Sequence, residues 1–138
     1  MVKPYVKPAY PHSELTGRII GAAQEVHRTL GPGFEEIFYQ RALEKEMRAA
    51  GLDCEREVWI TIHYKGEKLG RKRVDFVVEI CMVETKAKAT LEPVDHVQTL
   101  SYLKASGCEI GLLINFGAPK LEVQRLINTR RQEQGESN

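Results

Sequence analysis

The chain has 138 residues, of which 42% are hydrophobic and 28% are charged, and its formal net charge is +1. This size suits one domain with a hydrophobic core, and the overall charge does not indicate a nucleic-acid partner, although a local basic patch could still bind one. Three widely separated cysteines argue against a disulfide framework. The sequence shows no signal-peptide pattern and no apolar run near the ~20 residues of a membrane span, so we expect a cytoplasmic protein without membrane contact.

The first part of the chain predicts an extended arm followed by two helices. Residues 1–12 contain three of the six prolines, which is typical of an arm without a fold of its own. From Leu15 to Leu30 the apolar residues have helical spacing, and Gly31-Pro32-Gly33 ends that helix. A second helical pattern covers residues 34–50, and its predicted inward side chains include Ile37 and Phe38.

The middle of the chain changes to the alternating pattern of strands. Residues 54–64 predict one strand, residues 65–68 a turn, and the next strand includes residues 74–78. We place a break at Glu79-Ile80 and a further strand over residues 81–87. A third helix follows from Pro93 to Gly107, with Val94 and Val97 among its predicted inward residues.

The last part of the chain predicts a buried strand and a polar tail. Residues 109–116 form a continuous apolar run, which is typical of a strand buried on both faces. Residues 121–128 could form an edge strand or a short helix, and residues 130–138 predict a disordered tail. The predicted order is ααβββαβ(β), with helices on both sides of a mixed central sheet, in one domain over residues 13–129.

Three charged residues in the most strand-like part of the chain suggest a metal-dependent site. Glu84 and Lys86 are two apart, which places them on one face of a strand, and Asp75 lies on the preceding strand. Two carboxylates on adjacent strands can hold Mg²⁺, and a lysine beside them can orient an attacking water. A surface ladder of salt bridges explains the same spacing equally well.

The helices offer further polar residues. Gln98 and Tyr102 share a helix face and suit contacts with phosphate oxygens or metal-bound water, although such pairs are more often a plain polar face. Glu36 is a candidate metal or water ligand, and the residues that could support it are His27, Tyr39 and Gln40. Charge compensation at helix ends is the competing explanation for Glu36 and His27.

A basic segment precedes Asp75. Beside an acidic pocket it could hold a nucleic-acid backbone, and protection of a sheet edge explains it equally well. Its candidate backbone-binding residues are Lys68, Arg71, Lys72 and Arg73.

Five motifs follow one another along the chain: Gly33-Phe34-Glu35-Glu36-Ile37-Phe38-Tyr39, Arg73-Val74-Asp75, Glu84-Thr85-Lys86, Gln98-x-x-x-Tyr102 and Gly111-Leu112-Leu113-Ile114-Asn115-Phe116-Gly117. In this order they resemble the PD-(D/E)xK nuclease superfamily and, within it, the small bacterial GxxExxY proteins. The resemblance covers roughly residues 15–128 and rests on order and spacing, because no single motif is specific. Where the family usually has a polar turn before the ExK strand, this chain has Glu79-Ile80-Cys81-Met82.

The resemblance implies a restriction-endonuclease-like α+β fold and a role for each of these residues. Asp75 and Glu84 would be metal ligands, the Thr85 backbone carbonyl a third ligand, and Lys86 the catalytic lysine. Glu36 would be the acidic residue of the first core helix, and a QxxxY motif would be supplied by Gln98 and Tyr102.

The function that follows from the resemblance is hydrolysis of a nucleic-acid phosphodiester with Mg²⁺ or Mn²⁺, with DNA favoured over RNA. The alternative is a module on a nuclease fold that binds nucleic acid or protein without turnover. The expected partner is nucleic acid, and a homodimer is left open.

Overall fold

The structure is a computed structural model, and it describes residues 12–129. The predicted tail, and the predicted arm apart from His12, lie outside the described residues. The elements follow the predicted order: α1 (Ser13–Leu30), α2 (Glu36–Ala49), β1 (Cys54–Tyr64), β2 (Glu67–Val78), β3 (Cys81–Lys86), α3 (Pro93–Ser106), β4 (Ile110–Asn115) and β5 (Glu122–Ile127).

The five strands form one mixed sheet in the order β1-β2-β3-β4-β5. The pairs β1–β2, β2–β3 and β4–β5 are antiparallel. The pair β3–β4 is parallel, because α3 carries the chain from the end of β3 back to the start of β4. The predicted mixed sheet is confirmed, and the segment after β4 is an edge strand rather than a helix.

Helices cover both faces of the sheet, which confirms the predicted layers. Leu112 of β4 belongs to the core formed with α1 and α2, whereas its neighbour Leu113 belongs to the core formed with α3. All six residues of β4 are buried, because alternate side chains enter different cores.

The predicted inward faces of α2 and α3 are wrong at four apolar residues. Exposed fractions are 36% for Ile37, 46% for Phe38, 64% for Val94 and 62% for Val97. The inward line of α2 includes Tyr39, Gln40, Leu43 and Met47, and that of α3 is Asp95, Thr99 and Leu103.

Polar side chains occupy part of the inward face of α3, because they find hydrogen-bond partners within the protein. Asp95 accepts from Lys88 Nζ at 2.8 Å and from the Glu92 amide at 2.8 Å. Thr99 Oγ1 donates to the Asp95 carbonyl at 2.7 Å. This satisfied network offsets the desolvation of the polar groups and turns the valines outward.

Candidate functional site

The candidate site lies where β2 and β3 separate. Their ladder pairs Val78 with Cys81 and Phe76 with Val83, and it ends there. The turn between them is only Glu79-Ile80, as predicted. Beyond Val83, β3 remains paired with β4 as far as Lys86, so its edge toward β2 is open.

The side chains of Asp75 and Glu84 fill this opening and replace the missing ladder bonds. The Asp75 backbone N–H donates to Glu84 Oε1 at 2.8 Å. Asp75 Oδ2 accepts from the Thr85 backbone N–H at 2.8 Å and from Thr85 Oγ1 at 2.8 Å. Within residues 12–129, the second oxygen of each carboxylate makes no hydrogen bond, so each remains available to a ligand.

Burial and mutual repulsion perturb the carboxyl groups at this opening. Burial, followed by the negative charge of Asp75, raises the pKa of Glu84 to about 7. Three other interactions lower the pKa of Glu84. They are the hydrogen bond from the Asp75 backbone N–H and the positive charges of Lys86 and Lys72. The pKa of Glu36 is also raised by burial and by Asp75, against the lysine charges and a hydrogen bond from Gln40.

The raised pKa of Glu84 predicts a pH-dependent loss of stability in the metal-free protein. In the unfolded chain Glu84 loses its proton above the ordinary glutamate pKa of 4.5. In the folded protein Glu84 keeps that proton to higher pH. The free energy of unfolding should therefore fall from about pH 4.5 to about pH 7, by roughly 3 kcal/mol, and urea denaturation across that range measures it. Glu84→Gln should remove this part of the decline. Parallel pH profiles for the variant and the wild type would contradict the assignment.

Gln40 ties the start of α2 to this opening. Its Nε2 group donates to Glu36 Oε2 at 3.1 Å and to Thr85 Oγ1 at 3.1 Å. Its Oε1 atom accepts from Arg56 Nη2 at 3.1 Å. This amide therefore connects Glu36 to Thr85. The supporting role of Gln40 stays a prediction.

Tyr39 and His27 do not reach the carboxylates in the structure. The Tyr39 hydroxyl donates to the Gly31 carbonyl at 2.5 Å and accepts from the Phe34 amide at 3.1 Å. Its ring stacks on Phe116 at 5.0 Å. His27 Nε2 lies 2.9 Å from the Ala118 carbonyl oxygen. Tyr39 thus closes the turn that leads into α2, and His27 fixes the loop after β4.

Lys86 ends β3 half-buried, and its position depends on a close backbone approach. Its carbonyl accepts from the Phe116 amide at 2.9 Å. Gly117 follows Phe116 in the chain. A Cβ added at Gly117 would lie 2.5 Å from the backbone N and O of Lys88. Only a residue without a side chain fits there, because those neighbours are rigid backbone atoms.

Gly117→Ala is therefore expected to displace the end of β3 and to destabilise the protein by about 1–3 kcal/mol. Thermal unfolding measures the change. Gly21→Ala is the matched control, because Gly21 lies inside α1 and an added Cβ meets nothing within 4 Å. That control should be neutral or slightly stabilising. A Gly117→Ala protein as stable as wild type would show that the backbone approach is not a constraint.

The two predicted polar residues of α3 have different surroundings. Tyr102 is half-buried, and Lys72 Nζ lies 5.4 Å from the centroid of its ring. Gln98 is exposed and makes no hydrogen bond within the described residues. The structure brings Tyr102 to β2 beside the opening, but it does not bring Gln98 into contact with the carboxylates.

A cleft of about 700 Å³ lies between the start of α2 and the β1–β2 hairpin. Glu36, Gln40 and Asp75 line it, together with three of the four predicted backbone-binding residues, which are Arg71, Lys72 and Arg73. Lys68 is exposed farther along β2 and does not line the cleft.

Two cleft residues, Glu57 and Trp59, were missed by the sequence analysis. The β1–β2 register runs from Arg56↔Phe76 to Val58↔Val74, so Glu57 lies opposite Asp75, and its φ is 57°. A non-glycine residue at positive φ inside a strand is uncommon and marks a local irregularity. The sequence carries no signal for it, since glutamate in a solvent-facing strand position is ordinary.

The packing of β2 shows a matching irregularity at Asp75, the residue opposite Glu57. Val74 belongs to the core formed with α3, whereas Phe76 belongs to the core formed with α1 and α2. Residues two apart would share a face in a regular strand. The chain therefore changes face at Asp75, which is how its carboxylate comes to point along the sheet toward β3.

Metal binding at this opening would depend on few protein ligands. Among residues 12–129, no group of three or more His, Cys, Asp and Glu side chains is arranged to hold a metal ion. Asp75 and Glu84 fit Mg²⁺ in another way, because both offer an oxygen without a hydrogen bond and their repulsion would be relieved by a cation. Mg²⁺ commonly binds through one or two carboxylates and keeps several waters.

A sequence profile of the PD-(D/E)XK nuclease superfamily matches residues 13–126. The chain belongs to the PD-(D/E)XK nuclease superfamily. Nucleases of this superfamily generally use divalent metal ions. No curated protein matches the sequence.

A solved structure agrees with the superfamily assignment at the level of the fold. The crystal structure of SSO0001 matches with a TM-score of 0.53 and 17% sequence identity, over 73% of this chain and 57% of that chain. This chain therefore spans little more than half the length of SSO0001. Together with the superfamily match, the likeness confirms the restriction-endonuclease-like fold. Within the described residues, no helix has the length and apolar character that crossing a membrane requires.

Proposed function

We propose that this chain is a Mg²⁺- or Mn²⁺-dependent nuclease that hydrolyses phosphodiester bonds, with DNA favoured over RNA. In this proposal, the ion is held by Asp75, Glu84 and the Thr85 carbonyl, and Lys86 is the catalytic lysine. The observation that carries it is the opening between β2 and β3. There, two repelling carboxylates meet beside Lys86, and one of them has a pKa raised to about 7.

The bound ion would supply charge neutralisation at the phosphoryl group and a more acidic water. Lys86 would orient the attacking water or offset the charge of the transition state. Its charge already acts on both Glu36 and Glu84. Glu36 would hold a water or accept its proton, since its raised pKa brings it closer to the neutral pH of the reaction.

Contacts to the rest of the nucleic acid would come from the cleft and from α3. Arg71, Lys72 and Arg73 would neutralise phosphates along β2, with Lys68 extending the track. Tyr102 would offer its hydroxyl to a phosphate oxygen beside Lys72, and Gln98 would require a shift of its exposed side chain to join it.

We also propose membership of the GxxExxY proteins. In the motif, Gly33 has φ 116° and Glu36 is the first residue of α2. The Tyr39 hydroxyl bonds back to Gly31 and Phe34. The motif would thus build the turn that presents Glu36 to the carboxylates, within a single domain over residues 13–129.

Calorimetric titration and cleavage assays test the proposed function together. Wild-type protein should bind Mn²⁺ and Mg²⁺ and cut DNA only when one of them is present. Asp75→Asn and Glu84→Gln should both lose metal binding. Metal binding that is unchanged in both variants, or cleavage in EDTA, would contradict it.

A module without turnover is the second candidate. The observation that favours it is that one oxygen of each carboxylate is already used to close the gap between β2 and β3. Binding of DNA that weakens with salt, with no products in the presence of Mn²⁺, would support this candidate against the nuclease.

A further inference from the structure

Trp59 is a large aromatic side chain that the fold leaves half in solvent. Its exposed fraction is 51%, and it belongs to neither hydrophobic core. It lines the cleft that Asp75 and Glu36 also line. A tryptophan in this position leaves about half of its surface in solvent, so packing within the domain accounts for only part of it.

Two arginines of the neighbouring strand hold the indole in place. Arg73 is paired directly with Trp59 in the β1–β2 register, and Arg71 lies two pairs farther along, opposite Thr61. Their guanidinium carbons lie 5.4 Å and 4.4 Å from the ring centroid. Arg73 also reaches Glu57 Oε2 at 3.3 Å. Cation–π contacts of this kind favour the ring orientation seen here.

An indole with two arginines against it is suited to binding an unpaired nucleotide. A half-exposed indole can stack on any nucleobase when a guanidinium group yields the ring face to the base. The guanidinium groups can then neutralise the adjoining phosphates. A base inside a duplex has neighbours on both of its faces, so it cannot stack on a protein side chain without leaving the helix.

The spacing along β2 connects this set to the carboxylates. Arg73 is two residues from Asp75, which is about 7 Å along a strand, and Trp59 lies opposite Arg73. Trp59 and Asp75 also line the same cleft. A base stacked on Trp59 would therefore sit within about two nucleotides of a phosphate at the opening between β2 and β3.

We propose that Trp59, Arg71 and Arg73 form a stacking platform for an unpaired base next to the scissile phosphate, so that the substrate is a single-stranded segment of nucleic acid. This inference rests on the proposed nuclease function, which it deepens by naming the substrate class. Under it, the enzyme cuts single strands, overhangs or frayed ends in preference to an intact duplex.

Trp59 is the single tryptophan of the chain, so its fluorescence reports on the platform directly. The probes are a single-stranded oligodeoxynucleotide of about 12 nucleotides and the duplex of the same sequence, both in EDTA. The single strand should quench the fluorescence of the wild type and the duplex should not. Unchanged fluorescence at saturating single strand would overturn the proposal without any variant.

Variants separate stacking from charge. Trp59→Ala should weaken single-strand binding roughly 5- to 100-fold, whereas Trp59→Tyr should keep most of the affinity. Duplex binding should change less than twofold in both, and thermal unfolding confirms that each variant folds. Equal single-strand affinities for wild type and Trp59→Ala would overturn the platform.

Cleavage assays with Mn²⁺ keep the two proposals apart. Metal-dependent cleavage of duplex and single strand at equal rates, unaffected by Trp59→Ala, would overturn the platform and leave the nuclease proposal standing. Quenching that depends on the single strand, with no cleavage of any probe, would support the platform and contradict the nuclease.

Discussion

Asp75→Asn is expected to lower the rate of metal-dependent cleavage by roughly a thousandfold, which corresponds to about 4 kcal/mol of lost transition-state stabilisation. The amide retains the size of the carboxylate but loses the charge that would hold the cation. Its oxygen can still accept from the Thr85 amide, which Asp75 Oδ2 does at 2.8 Å. Single-turnover cleavage with saturating Mn²⁺ measures the effect.

The stability of Asp75→Asn distinguishes a lost metal ligand from a damaged fold. The charge of Asp75 raises the pKa of Glu84, so its removal should relieve repulsion and leave the metal-free protein at least as stable as wild type. Asp53→Asn is the control, because Asp53 is an exposed aspartate just before β1. Asp75→Asn with more than a tenth of the wild-type rate would contradict its assignment as a metal ligand.

Lys86→Ala is expected to reduce cleavage by roughly 10²- to 10⁴-fold while metal binding is kept. The lysine makes no ion pair within residues 12–129, so the alanine variant leaves no charged partner behind. The loss of its positive charge should raise the pKa of Glu84 further, since that charge now lowers it. Metal binding should therefore be compared over a range of pH, so that a shifted titration of Glu84 is not mistaken for a lost ligand.

Lys120→Ala is the matched control for Lys86→Ala, because Lys120 is an exposed lysine in the loop after β4. It should cleave at the wild-type rate. An active Lys86→Ala protein would count against catalysis by this lysine. Loss of both cleavage and metal binding in Lys86→Ala would instead assign Lys86 to the electrostatic stability of the site.

The order of elements could be predicted from the sequence because each element carries a local signal. Glu84 and Lys86 stand two apart in an apolar run, and β4 has no polar side chain before Asn115. The strand period and the burial of β4 could therefore be predicted. The exception was α3, where Asp95 and Thr99 face inward in place of Val94 and Val97. Asp95 bonds to Lys88 and Glu92, and Thr99 bonds to the Asp95 carbonyl. A hydrophobic pattern does not express such bonds between polar groups.

The detailed geometry of the site could not be predicted, because it depends on local backbone conformations and on pairing between strands. Glu79 and Glu57 both adopt positive φ, at 56° and 57°, without the glycine or asparagine that usually announces it. Trp59 meets Arg73 only through the β1–β2 register. The pairing of Asp75 with Glu84 requires β2 to change face at Asp75.

A crystal soaked in Mn²⁺ tests the central claim most directly. Anomalous diffraction locates the metal without reference to activity. The proposed site predicts a peak between Asp75 and Glu84 at about 2.0–2.6 Å from Asp75 Oδ1 and Glu84 Oε2, the range of oxygen ligands to such hard cations. A well-diffracting soaked crystal with no peak between these two carboxylates would contradict the claim that they form the metal site of a nuclease.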